Sequence, residues 1–346
     1  MDSPRATPGS RRRHARPRRR ALLYVSLATV AVVGATAAGT VYVKAHARDN
    51  AVSSAASPVP SPSAPASTSG EASVEPVTEP AVDRDALLDS ALAKVTVPSG
   101  AEFSVAVLDL DSGASATYGD SAFDTASIVK VDVLATLLLQ AQDAGRHLTA
   151  TEKAYATKMI ENSDNASASE LWDVIGAAAG LDAANKRFGL TSTEGGDGAL
   201  WGLTQTTAAD QLRLLQQVFG DDSKLSAASR AYLQGLMTTV ETDQQWGVSA
   251  AADGSGYALK NGWLARSTTG LWDVNSIGRV TAGGADYLVA VLSKGTVSQA
   301  EGMALVEAAA KAAVGSFTES SGAASASASG AGEASGAGAA SASASQ

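Results

Sequence analysis

The 346-residue chain has no cysteine, three histidines and no Gly-x-Ser-x-Gly segment. Without cysteine there is no disulfide and no thiol to carry a lipid anchor. His14 and His46 fall in the N-terminal extension, so His147 alone lies in the region that can fold. A Ser-His-Asp triad therefore has little to draw on, and the missing elbow removes its α/β-hydrolase form. One histidine with no cysteine is also a poor start for a zinc site. No cofactor or metal is expected. Positive charge is scarce outside one run: eight arginines against Asp2 give residues 1–20 a net charge of +7, leaving −16 for the rest of a chain that totals −9. So acidic a body argues against a nucleic-acid partner.

Behind the arginines, residues 21–43 form an uncharged run of 23 positions, long enough to cross a bilayer as a tilted helix. The positive-inside rule then keeps residues 1–20 in the cytoplasm, giving a single-pass membrane protein with an extracytoplasmic domain. The alternative is secretion after cleavage near Ala47, where Ala45-His46-Ala47 offers small residues. Residues 44–82 are rich in Pro, Ser and Ala and read as an extended linker. Residues 317–346, mostly Gly, Ala and Ser, read as a disordered tail. Between them, residues 83–316 make one domain long enough for a substantial core, expected as a monomer.

Within that domain, residues 85–95 have a helical pattern, and 102–110 alternate apolar side chains as a half-buried strand does. Asp111-Ser112-Gly113 turns into a second strand near 114–118. After Ser127, Val131, Leu134, Leu137 and Leu138 recur at helical spacing up to Gly145. Two capping boxes are expected, Thr149 with Glu152 and Ser167 with Glu170, and a further helix runs from Thr207 to Gly220. Strand patterns return at 257–265, 272–280 and 287–293, with Gly283-Gly284 turning between the last two, and an Ala-rich helix over 298–314 closes the domain. Strands, helices, then strands describe an α+β fold, an antiparallel sheet built from both ends of the domain with a helical lobe inserted.

Three short patterns occur once each and in order: Ser127-Ile-Val-Lys130, Ser163-Asp-Asn165 and Lys260-Asn261-Gly262. Of ten lysines, only Lys130 has a serine three residues before it and only Lys260 a glycine two residues after it. A serine hydroxyl needs an adjacent base to act as a nucleophile, and three-residue spacing on a helix puts Ser127 and Lys130 on one face. Lys130 is a base only when neutral, which burial and a second cation, Lys260, would favour. Taken singly, each pattern has a plain alternative: a helix cap with a solvent-facing lysine, a polar turn between helices, and a surface strand bulged at Gly262. Their ordered coincidence is what points to a serine acyl-transfer site.

These residues resemble the penicillin-recognising serine hydrolases, the class A β-lactamases and the D-Ala-D-Ala peptidases, for which Ser-x-x-Lys, Ser-Asp-Asn and Lys-Thr-Gly are the signature. The resemblance implies the β-lactamase/transpeptidase-like fold and a β-lactam or peptidoglycan-peptide substrate, processed through an acyl-enzyme at Ser127. By it Lys130 is the general base, Ser163 relays a proton to the leaving nitrogen, Asn165 binds the substrate amide, and Lys260 attracts its carboxylate. Backbone N–H groups of Ser127 and Trp263 would form the oxyanion hole. Three departures stand out. Asn261 replaces the usual Thr or Ser, although an amide can still donate to the carboxylate. Ser163 follows Ser127 closely, implying a reduced helical lobe. The segment 193–204 lacks the Glu-x-x-Leu-Asn that activates the deacylating water, with Glu194 and Asp197 its carboxylates. Acylation is thus expected intact and deacylation slow. A peptidase, or a catalytically silent wall-binding or sensor module on the same fold, is the alternative.

Overall fold

The computed structural model describes residues 82–330; the arginine run, the apolar segment 21–43, nearly all of the 44–82 linker and the last residues of the chain lie outside them. Helix α1 (Arg84–Leu92) is started by Asp83, whose carboxylate accepts the Ala86 N–H. Strands β1 (Glu102–Asp109) and β2 (Ser115–Tyr118) follow, then a two-residue strand β3 (Phe123–Asp124) and a 3-10 turn, Ala126–Ile128, that opens into α2 (Val129–Asp143). The middle of the chain is helical: α3 (Ala150–Glu161), α4 (Asn165–Ile175), α5 (Ala177–Phe188), then α6 (Ala208–Phe219) and α7 (Ala227–Thr238), with the two-residue β4 (Gln205–Thr206) ahead of α6. Strands β5 (Tyr257–Ala265), β6 (Trp272–Ala282) and β7 (Ala285–Thr296) return before α8 (Gln299–Gly330).

The five long strands form one antiparallel sheet in the order β2-β1-β7-β6-β5, so both ends of the domain meet at its centre. The β6–β7 hairpin turns at Gly283-Gly284, both with φ in the left-handed region, as a two-residue hairpin matched to the sheet's twist requires. Side-chain alternation splits β1 between two cores: Val105 and Val107 pack toward α1 and α8, while Ala106 and Leu108 pack toward the helical lobe. The strand expected as half-buried is therefore buried on both faces, because helices cover both sides of the sheet. Lys260 to Ala265 pair with β6 without a register shift, so Gly262 is no bulge.

Local signals explain most boundaries. Thr149 and Glu152 form both halves of the expected capping box. The box expected from Ser167 and Glu170 is absent; Asp164 caps α4 instead, accepting the Ser167 N–H, and Ser167 is buried inside the helix. A carboxylate placed directly ahead of the first turn outcompetes the later hydroxyl. The closing helix runs on to Gly330, into the stretch expected as tail. Among the described residues no helix is long and apolar enough to cross a membrane.

Helix α2 is buried on all sides, which suits the centre of the lobe but strands one carboxyl there. Asp132 is fully buried, facing Asn185 without a well-formed hydrogen bond, and burial raises its pKa to about 7. A raised carboxyl pKa stabilises the fold at acid pH and loses that stability as pH climbs through about 7. Asp132→Asn is therefore expected to melt with the parent near pH 4 and to exceed it by roughly 1–3 kcal/mol near pH 8, read from thermal unfolding at both pH values.

Candidate active site

Ser127 sits in the 3-10 turn between the Phe123–Asp124 strand and α2, half-exposed, with Ala126 before it held at φ +47. Such a conformation costs a non-glycine residue about 1–3 kcal/mol and persists where the surroundings enforce it. Here they do. Asn275, buried on β6, donates from Nδ2 to the carbonyls of Asp124 (2.9 Å) and Thr125 (3.0 Å). The Asp124 side chain meets Gln205 and Arg266, tying the turn to β4 and to the loop after β5. β5 itself runs so close that a Cβ on Gly262 would lie 2.7 Å from the Ser127 nitrogen and 2.8 Å from the Thr125 oxygen. Any larger residue there would push the serine turn off the sheet.

Lys130 follows on the first turn of α2 and is fully buried, which rules out the solvent-facing lysine of the plain alternative. Its Nζ lies 3.0 Å from Ser127 Oγ, 2.6 Å from the Ser163 carbonyl, 3.0 Å from Ser163 Oγ and 2.8 Å from Asn165 Oδ1. Burial lowers its pKa to about 7, against the opposing pull of Asp164. A neutral amine has two N–H donors and one lone pair. The Ser163 carbonyl and Asn165 Oδ1 can only accept, so they take the donors, and the lone pair is left for a hydroxyl proton from Ser127 or Ser163.

Ser163 joins α3 to α4 in a left-handed conformation, φ +55, which turns its hydroxyl inward while Asp164 behind it caps α4. Lys260, fully buried on β5, reaches the same hydroxyl at 3.0 Å and its own neighbour's carbonyl, Asn261 O, at 3.0 Å. Burial, and then the charge of Lys130, hold the Lys260 pKa well below the usual lysine range. A continuous path of polar atoms thus runs Ser127–Lys130–Ser163–Lys260. Asn165 is exposed, and its Nδ2 makes no hydrogen bond within the described residues, leaving it able to meet a ligand.

Asn261 is the expected site residue that stands apart. Adjacent residues in a strand face opposite ways, so with Lys260 turned to Ser163 the Asn261 side chain goes to the far face. There it is buried, and its two N–H groups go to the carbonyls of Gln244 (2.8 Å) and Trp246 (2.9 Å). The expected contact with a substrate carboxylate is corrected accordingly: Asn261 fastens a loop. The Trp263 ring, on the same far face, packs on Trp246 at 5.9 Å. β5 is the outer strand of the sheet, so alternate backbone N–H groups along it lack a sheet partner on that side.

Sequence patterns pass over two contributors. The Trp201 ring lies over Lys130 Nζ, 5.0 Å from centroid to nitrogen, with its Nε1 donating to Ser169. Glu194 and Asp197, the carboxylates of that loop, are exposed. A lone tryptophan in a glycine-rich loop was the available hint. The Asp124–Arg266–Gln205 link had none, because its members are far apart in the chain.

Residues 147–317 match the family model described as "Beta-lactamase enzyme family". The chain is 28% identical over 173 residues to the "Putative lipoprotein LppW" of Mycobacterium tuberculosis and of Mycobacterium bovis, covering 48% of this chain and 55% of the relative. It thus spans about half the length of the curated relatives it matches. Among solved structures, PBP-A is similar over 68% of this chain and 96% of its own, with a TM-score of 0.59 at 21% identity. A β-lactamase from Xanthomonas campestris is similar over 66% of this chain and 97% of its own, TM-score 0.56 at 22% identity. At such identities the structures establish the β-lactamase/transpeptidase-like fold. The relatives also correct the location expected from residues 21–43. The single-pass assignment is not carried further: the relatives bear the name of a putative lipoprotein, and among the described residues, which exclude 21–43, no helix is long and apolar enough to cross a membrane.

Proposed function

We propose, from the premise that the domain belongs to the serine β-lactamase-like family, that this chain is a serine hydrolase forming a long-lived acyl-enzyme at Ser127 with β-lactams or cell-wall peptides. The observation that carries this reading is the convergence of Ser127, Ser163 and Asn165 on one buried lysine amine. Neutral Lys130 takes the Ser127 proton as Oγ bonds to the substrate carbonyl carbon. The oxyanion is met by the Ser127 and Trp263 N–H groups. The C–N bond then breaks, Ser163 passes its own proton to the leaving nitrogen, and Lys130 returns the first proton to Ser163. No group is left charged beyond its starting state.

Deacylation is the weak half of this cycle. The loop that would bring a carboxylate to activate water instead lays Trp201 over Lys130, with Glu194 and Asp197 out in solvent. One structural neighbour, a mutant form of PBP-A, has been caught as an acyl-enzyme complex with penicillin G. Intact mass of the protein treated with benzylpenicillin is expected to gain one drug mass, mapped to Ser127, that persists after excess drug is removed. Prompt loss of the adduct with drug hydrolysis would mean a β-lactamase with another base, and no adduct would favour a silent binding module.

A further inference from the structure

Asn275 is fully buried on β6, and both N–H groups and the oxygen of its side chain are engaged, none of them with a catalytic side chain. Oδ1 accepts the Ser293 N–H of β7, the central strand of the sheet, at 3.0 Å. That bond fixes which way the amide faces, so Nδ2 is delivered to the carbonyls of Asp124 and Thr125, the two that precede Ala126. Register places Asn275 directly across from Gly262, so its side chain reaches the serine turn over the one position of β5 that has no side chain in the way. On its other side the turn is tied by the Thr125 N–H, which donates to the Thr204 carbonyl at 2.9 Å. With the Thr125 carbonyl held, the peptide plane entering Ala126 is fixed, and the left-handed φ of +47 at Ala126 then decides where the Ser127 N–H and hydroxyl point. An alanine released from such a hold favours the right-handed or extended regions.

Resting on the acyl-transfer reading above, we propose that Asn275 is a positioning residue for acylation: it hangs the serine turn from the sheet and keeps Ala126 left-handed, so that Ser127 Oγ meets Lys130 and the Ser127 N–H faces the oxyanion. It neither binds substrate nor moves a proton. Asn165 and Lys260 are carried by other elements, α4 and β5, so the loss of Asn275 falls on the covalent step and hardly on the binding of the intact drug. A displacement of roughly 1 Å between reacting groups is enough to slow such a step by about 10²-fold.

The test uses the full-length protein with Asn275→Ala, Ala126→Gly and the two combined. Appearance of the Ser127 adduct of benzylpenicillin is timed by intact mass over a range of drug concentrations, which separates the limiting rate from the concentration that gives half of it. Circular dichroism and thermal melting establish that each variant is folded. Asn275→Ala is expected to lower the limiting rate by roughly 10- to 100-fold while the half-saturating concentration moves by less than about threefold. Glycine takes the left-handed conformation without the alanine's steric cost. The same Asn275 change made on the Ala126→Gly background is therefore expected to slow acylation by less than about threefold. A loss of equal size on both backgrounds overturns the proposal, because Asn275 then acts on the fold at large, and labelling of Asn275→Ala at the parent's rate overturns it outright; either result leaves acylation at Ser127 standing. Where Asn275→Ala does not fold, Asn275→Asp, which keeps an acceptor for Ser293 and gives up the paired N–H donors, replaces it in the same comparison. No adduct from the folded parent sinks the acyl-transfer reading and this inference with it.

Discussion

Ser127→Ala is expected to abolish covalent labelling by benzylpenicillin outright, while circular dichroism and melting temperature stay close to the parent's. Ser127 is half-exposed, and its hydroxyl is one of four acceptors around Lys130, so its loss leaves the lysine three others. The stability lost should be of the order of a single hydrogen bond, about 1 kcal/mol. Labelling has no such reserve, because the bond to the acyl group is made by that oxygen. An adduct that survives in the variant, at Ser163 or elsewhere, would show that the nucleophile has been misassigned.

Lys130→Ala should slow acylation by about 10²- to 10⁴-fold, the usual contribution of a general base. Lys130→Arg should be nearly as slow, since a guanidinium keeps its proton and has no lone pair to offer. The same chemistry fixes the pH profile of the parent. The Lys130 pKa is lowered from 10.5 to about 7 by burial, so the amine is neutral above that pH and charged below it. Acylation is expected to rise about tenfold per pH unit below about 7 and to level off above it. For stability the sign is the same. Between about 7 and 10.5 the unfolded chain holds a proton the folded chain does not, so this group's contribution falls as pH drops through that window. A pH series of acylation rates checks the first statement; a flat profile across neutrality would exclude Lys130 as the base.

Much of this site could be read in the chain because its members are paired locally. Ser127 and Lys130 lie three residues apart where the 3-10 turn runs into α2, and Ser163 and Asn165 flank a capping aspartate, so spacing alone predicts the proximity within each pair. Asn261 shows the limit from the other side. Strand alternation was enough to place its side chain opposite Lys260, and the resemblance to a Thr-bearing family drew it to the substrate instead. Helices α5 and α7 went unread although Leu181, Ala184 and Phe188 in the one, and Leu233, Leu236 and Met237 in the other, recur at helical spacing on a buried face.

By itself the sequence determined which chemistry is present: one lysine three residues from a serine, one Ser-Asp-Asn, one Lys-Asn-Gly, and neither a second domain histidine nor a cysteine to compete with them. Those are matters of residue type and short spacing, which covalent geometry carries over into the fold. Tertiary structure decided how those groups are brought together. Burial of Lys130 among acceptors from the serine turn and from the junction of α3 with α4, its approach to Lys260 across 130 positions of chain, and the turning of Trp201 over it all depend on packing between distant segments. A lysine's pKa is set by the water it loses, and no local pattern records what will come to exclude that water.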